Sequence, residues 1–77
     1  MKIIWKILAD LRPEFDFTQS TDFIEDGYLD SFDLVSLVSE LEAKFGILID
    51  ALDIVPENFC NAEAIAEVVR KSGGTVS

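Results

Sequence analysis

A chain of 77 residues with 49% apolar and 27% charged side chains has room for one small hydrophobic core and is too apolar for disorder, so a single folded domain over residues 1–77 is expected. Fifteen acidic against six basic residues give a formal charge of -9, which opposes binding to nucleic acid or anionic membrane and favours basic protein partners. With no histidine and one cysteine, Cys60, the chain lacks the usual base for a serine nucleophile and any intrachain disulfide.

Lys2 to Leu11 reads as the first helix, because Ile4, Ile7, Leu8 and Leu11 fall at helical spacing and Pro13 pushes Arg12 out of helical geometry. Trp5 lies off the centre of that stripe, and burial at the bundle edge is the expected outcome. Lys6 and Asp10 interrupt the apolar start and no small-residue cleavage site follows, so a cytoplasmic protein is expected. No stretch reaches the ~18 apolar residues that a membrane span needs. Residues 13–30 form a long connection in which Phe15, Phe17, Phe23, Ile24, Tyr28 and Leu29 supply apolar contacts, so it should wrap across the helix ends in an ordered form. Gly27 suits a turn with positive φ just before the second helix.

That helix is predicted from Ser31 to Phe45, with Asp30 as N-cap, Asp33 three positions on as in a capping box, and Gly46 as C-terminal stop. Leu34, Leu37, Val38, Leu41 and Phe45 make one core stripe. Phe32 lies roughly 160° and Val35 roughly 100° from its middle at about 100° per residue, so both resist burial with the others. Ile47, Leu48 and Ile49 then re-enter the core, and Pro56 suits the first turn of a brief third helix or a pair of turns within residues 50–59. Asn61 caps a last helix from Ala62 to Lys71, and Gly73 and Gly74 stop it, leaving a frayed tail over residues 73–77. Cys60 reads as a small core residue beside Phe59. The fold class is therefore all-α: a small four-helix bundle of three longer helices and one short one.

Ser31 stands at the mouth of the best helix, and three chemistries compete for it. As a nucleophile of this chain's own it would need a base, and Lys44 lies too far along the same helix to serve. A calcium loop fits Asp22, Asp26, Gly27 and Asp30 but fails at Ile24 and at Asp33, which replaces the long bidentate glutamate. An unmodified acidic interaction module using Phe32 and Val35 as apolar anchors remains open. Capping by Asp30 and Ser31 is the commonest use of such a pair, and it is compatible with Ser31 pointing outward.

Gly27-Tyr28-Leu29-Asp30-Ser31-Phe32-Asp33, at the start of an acidic helix, resembles the attachment motif Gly-x-x-Asp-Ser-Leu of the acyl carrier protein family, which includes peptidyl and aminoacyl carrier domains. Phe32 replaces the usual leucine. A second piece, Asp53-Ile54-Val55-Pro56-Glu57-Asn58-Phe59 with Ala64-Ile65-Ala66, is similar to the family's third and fourth helices, so the resemblance covers nearly the whole chain. It implies a monomeric, non-catalytic carrier without a metal, in which Ser31 holds a covalent 4′-phosphopantetheine arm whose thiol tethers acyl or aminoacyl groups. The implied partners are a phosphopantetheinyl transferase, an acyl- or aminoacyl-loading enzyme (a ligase, adenylation enzyme or acyltransferase) and downstream synthases. They would recognise Asp30, Phe32, Asp33, Val35, Glu40 and Glu42. Ser36, Ser39 and Asp50 depart from the fatty-acid carriers, which leaves polyketide, nonribosomal peptide and aminoacyl pathways, including the D-alanyl type, at least as open as fatty acid synthesis.

Overall fold

The computed structural model describes residues 1–76; Ser77, the end of the expected frayed tail, lies outside them. Three α-helices, α1 (Lys2–Leu11), α2 (Ser31–Phe45) and α3 (Ala62–Lys71), make the frame, and no strand occurs among the described residues. All three run as their apolar spacing predicts. The helix α1 packs against both α2 and α3. Ile4, Ile7 and Leu8 of α1, Leu34, Leu37, Val38 and Leu41 of α2, and Ile65, Ala66, Val68 and Val69 of α3 are all buried in one core.

Of the two forms expected for residues 50–59, a brief helix or a pair of turns, the structure has the turns, Ala51–Asp53 and Pro56–Asn58, each a single 3-10 turn, so the bundle has three α-helices among the described residues where four helices were expected. The reason is local. Val55 precedes a proline and is held extended, with φ -132° and ψ 151°. Pro56 has no N–H to give a continuing helix. Asp50 Oδ1 caps only the first turn, accepting the N–H of Leu52 at 2.9 Å, and Asn58 Nδ2 donates to the carbonyl of Asp53 at 2.8 Å. Asn58 thus occupies a carbonyl that a continuing helix would pair with an N–H four residues on.

The long connection supplies the bundle's end wall. Phe17, Phe23 and Leu29 are buried, and Phe17 meets Phe23 edge-on with ring centroids 5.0 Å apart. Phe15 stacks on Tyr28 at 4.5 Å. The backbone N–H of Phe23 donates to Cys60 O at 2.6 Å, and the carbonyl of Phe23 accepts from Tyr28 and Leu29, so the connection is pinned to the segment before α3.

Two expectations about single side chains change. Trp5 is only half-buried, its ring edge-on to Phe23 at 6.4 Å. Cys60 is a half-buried rim residue, not a core one: its thiol donates to Glu57 O, and Phe59 alone takes the core position. Of the re-entering trio, Ile47 and Ile49 are buried while Leu48 is 85% exposed, an alternation that an extended segment imposes. Beyond α3, Gly74 N–H donates to Val69 O at 2.8 Å and Val76 rests partly on the core.

Candidate functional site

Both ends of α2 are closed by the residues that its sequence nominated. Asp33 N–H donates to Asp30 Oδ1 at 2.9 Å, and Asp30 N–H donates to Asp33 Oδ2 at 3.0 Å, a reciprocal capping box with aspartate in the glutamate role. At the far end Gly46 takes φ 65° and its N–H donates to Glu42 O. Just before the helix, Gly27 has φ 76°, and Leu29, two residues on, is buried. A positive-φ turn followed by a buried leucine sets Asp30 and Ser31 at the surface.

Asp30 does the capping, so Ser31 is released from it. Ser31 is exposed, and among the described residues its hydroxyl has no hydrogen-bond partner. A free hydroxyl on the first turn of a helix, beside backbone N–H groups with few acceptors, is a fitting place for a phosphodiester. Nothing packs over Ser31 that a bulky substituent would displace.

The surface around it sorts the six expected recognition residues into two groups. Phe32 is 83% and Val35 66% exposed, and Asp30 and Glu40 also face outward. Asp33 does not. It is the one buried charged residue among those described, and its carboxylate is turned to Arg12. Glu42 is half-buried, and its Oε2 accepts the N–H of Ile49 at 2.9 Å, tying the segment after Gly46 back onto α2.

Arg12 was read in the sequence only as the residue that ends α1, yet its guanidinium reaches the mouth of α2. Its Nε donates to Asp33 Oδ2 at 3.0 Å and its Nη2 lies 2.8 Å from the same oxygen; Nη2 is 3.5 Å from Asp30 Oδ2, and Nη1 is 3.2 Å from Glu14 Oε2. Burial pushes the Asp33 carboxyl up, but the hydrogen bonds from Arg12 and from the backbone of Asp30, with the charge of Arg12, outweigh it and leave the pKa below the ordinary carboxylate value. The same carboxylate, then that of Glu14, raises the pKa of Arg12. One signal in the sequence marks this residue: no lysine or arginine follows Arg12 until Lys44, across an acidic stretch that needs a counter-charge.

Beside this site runs an open groove of about 430 Å³ between α1 and α2. Ile7, Asp10 and Leu11 line it from α1, and Val35, Ser36, Ser39 and Glu40 from α2. Two exposed leucines, Leu48 and Leu52, stand on the segment after α2 and were not anticipated as surface groups.

Among known proteins, a family model described as a phosphopantetheine attachment site matches residues 4–69. No curated protein matches, and no solved structure does.

Proposed function

The chain belongs to the phosphopantetheine attachment-site family, whose covalent cofactor is 4′-phosphopantetheine, and from that premise we propose that Ser31 is the attachment residue of a discrete carrier protein. The observation that carries the assignment is the division of labour at the start of α2. Asp30 and Asp33 satisfy each other's backbone, leaving the Ser31 hydroxyl exposed and unpaired.

In the transfer, Ser31 Oγ attacks the β-phosphate of coenzyme A. The new bond is Oγ–P, the phosphoanhydride breaks, and adenosine 3′,5′-bisphosphate leaves. The hydroxyl proton passes to a base of the transferase, since this chain has no histidine. When bound, the arm supplies a thiol that holds an acyl or aminoacyl group as a thioester.

The protein's own part is presentation and docking. Phe32 and Val35 offer apolar anchors to successive enzymes, while Asp30 and Glu40 steer basic partners and make association salt-sensitive. The partners are the transferase, a loading ligase, adenylation enzyme or acyltransferase, and downstream synthases. A cytoplasmic monomer fits this role; no helix of the described residues is long and apolar enough to cross a membrane. The departures at Ser36, Ser39 and Asp50 keep polyketide, nonribosomal peptide and aminoacyl pathways at least as open as fatty acid synthesis.

Intact mass after incubation with coenzyme A, magnesium and a promiscuous phosphopantetheinyl transferase tests the assignment. The wild type is expected to gain one phosphopantetheine and Ser31→Ala none. Modification of a folded Ser31→Ala variant would move the site elsewhere, and an unmodified wild type beside a working control carrier would leave an unmodified interaction module.

A further inference from the structure

We propose that Arg12 is a positioning residue for phosphopantetheine transfer: by gripping Asp33 from α1, it holds the turn that presents Ser31 in one place relative to the bundle. The proposal rests on Ser31 being the attachment residue.

The turn at residues 30–33 is a closed ring of two hydrogen bonds between Asp30 and Asp33, with Ser31 inside it. A capping box of this kind fixes a turn relative to its own helix. It does not fix the turn relative to the rest of the molecule. Buried Leu29 and Leu34, on either side, seat the turn in the bundle, and Arg12 adds a directional contact at its mouth from α1. Asp33 Oδ2 accepts the N–H of Asp30 and the Nε–H of Arg12, each at 3.0 Å, and Nη2 of the same guanidinium is ion-paired 2.8 Å from that oxygen. One oxygen thus belongs at once to the ring and to the clamp.

Arg12 is itself well referenced. It lies one residue beyond α1 with φ -135° and ψ 78°, and its backbone N–H donates to Leu8 O at 3.0 Å. Leu8 is fully buried, so the base of the arginine is anchored to the core. The path from core to nucleophile runs Leu8, Arg12, Asp33, Asp30, Ser31, through hydrogen bonds at every step before the last peptide link. The planar guanidinium makes this a directional contact, which a lysine ammonium with its single nitrogen does not reproduce.

The alternatives for Arg12 are weaker on the same geometry. Its contacts with Glu14 and Asp30 are longer and solvent-exposed, of the sort that contribute little, whereas the Asp33 carboxylate is buried. A partner-facing role is opposed by the same occupation: among the described contacts, Arg12 meets three carboxylates of its own chain.

The test follows transfer from coenzyme A onto the full chain by intact mass. It compares wild type, Arg12→Met, Arg12→Lys, Asp33→Asn and the Arg12→Met/Asp33→Asn double variant, at a temperature where circular dichroism shows each folded. With docking groups Phe32, Val35 and Glu40 untouched, Arg12→Met is expected to lower kcat by roughly tenfold to a hundredfold, the scale of a misplaced nucleophile, with KM for the carrier within about twofold. Arg12→Lys should recover only part of the loss, and the double variant should be no worse than the worse single one. Amide exchange in the apo protein gives a second readout: Asp30 and Asp33 N–H should exchange faster in Arg12→Met while core amides of α3 do not. Wild-type kcat in Arg12→Met, full recovery by lysine, or additive losses in the double variant would overturn the proposal. A wild type that gains no mass overturns it together with the Ser31 assignment, whereas normal wild-type transfer with an unaffected Arg12→Met sinks the proposal alone.

Discussion

Ser31 and Asp33 stand two positions apart on the first turn of α2 and meet opposite surroundings, one open and unpaired, the other buried against a guanidinium. That difference sets what each does. Phe32, between them, is 83% exposed and so has little to lose in stability; Phe32→Ala should leave the melting temperature within the effect of about 0.5 kcal/mol while slowing turnover with partner enzymes. Thermal melts beside transfer kinetics check this, and a large drop in melting temperature with normal kinetics would contradict it. Asp33 has a native pKa below its unfolded value, because Arg12 and the Asp30 N–H more than offset its burial. The unfolded chain therefore binds more protons in that window, and stability rises with pH across it. The contribution is complete above the unfolded carboxylate value of about 3.9 and is lost as pH falls through the lower native value. Between pH of about 5 and about 2 the wild type should lose melting temperature more steeply than Asp33→Asn; parallel curves would remove Asp33 from the account.

At the scale of the element, α2 is a helix with both ends tied, which keeps its exposed face in one shape. The capping box holds the start; the finish depends on Gly46 in the left-handed region at φ 65°. A Cβ added there meets nothing within 4 Å, so Gly46→Ala isolates the backbone penalty. It should cost about 1 kcal/mol, seen as a lower melting temperature with an unchanged rate of modification at Ser31. A loss of modification without a loss of stability would mean that the end of α2 is sensed at its start. The segment that follows shows how side chains choose between helix and turn. Asn58 and Pro56 each withdraw a backbone group from the helical pattern, and Lys71 of α3 secures Asp53 at 2.8 Å, so two 3-10 turns suffice to bridge α2 and α3.

For the whole molecule the governing facts are small size and one sign of charge. The radius of gyration is 11.1 Å and the longest extent 29 Å, so most carboxylates lie within a few Debye lengths of one another at ordinary ionic strength. With a formal charge of -9 and Asp33 the only buried acid among the described residues, their mutual repulsion falls on the native state more than on the expanded chain. Raising salt from about 0.01 M to about 0.15 M shortens the Debye length from about 30 to about 8 Å and should raise the melting temperature, while slowing association with basic partners. A melting temperature that fell with added salt would show that ion pairs such as Arg12–Asp33 outweigh the repulsion.

The three helices, their caps and the exposed Phe32 and Val35 were legible in the sequence because they depend on residues within one or two turns of each other: the stripe of Leu34, Leu37, Val38 and Leu41, the Asp30 and Asp33 pair, the stop at Gly46. The family was legible for the same reason, since seven consecutive residues carried the resemblance, and the family match over residues 4–69 agrees with it. The two 3-10 turns were half-legible, since Pro56 marks a helix start as readily as a turn and the bond of Asn58 to the Asp53 carbonyl decides. What the tertiary structure alone decided are the pairings across sequence distance. Nothing local tells Asp33 from Glu40 as an acid beside a serine; Arg12, 21 residues away, reaches one and turns it into an internal strut while the other stays at the surface. Charge on a helix is read from sequence, but which charge is spent inside the molecule depends on where the opposite charge arrives in space.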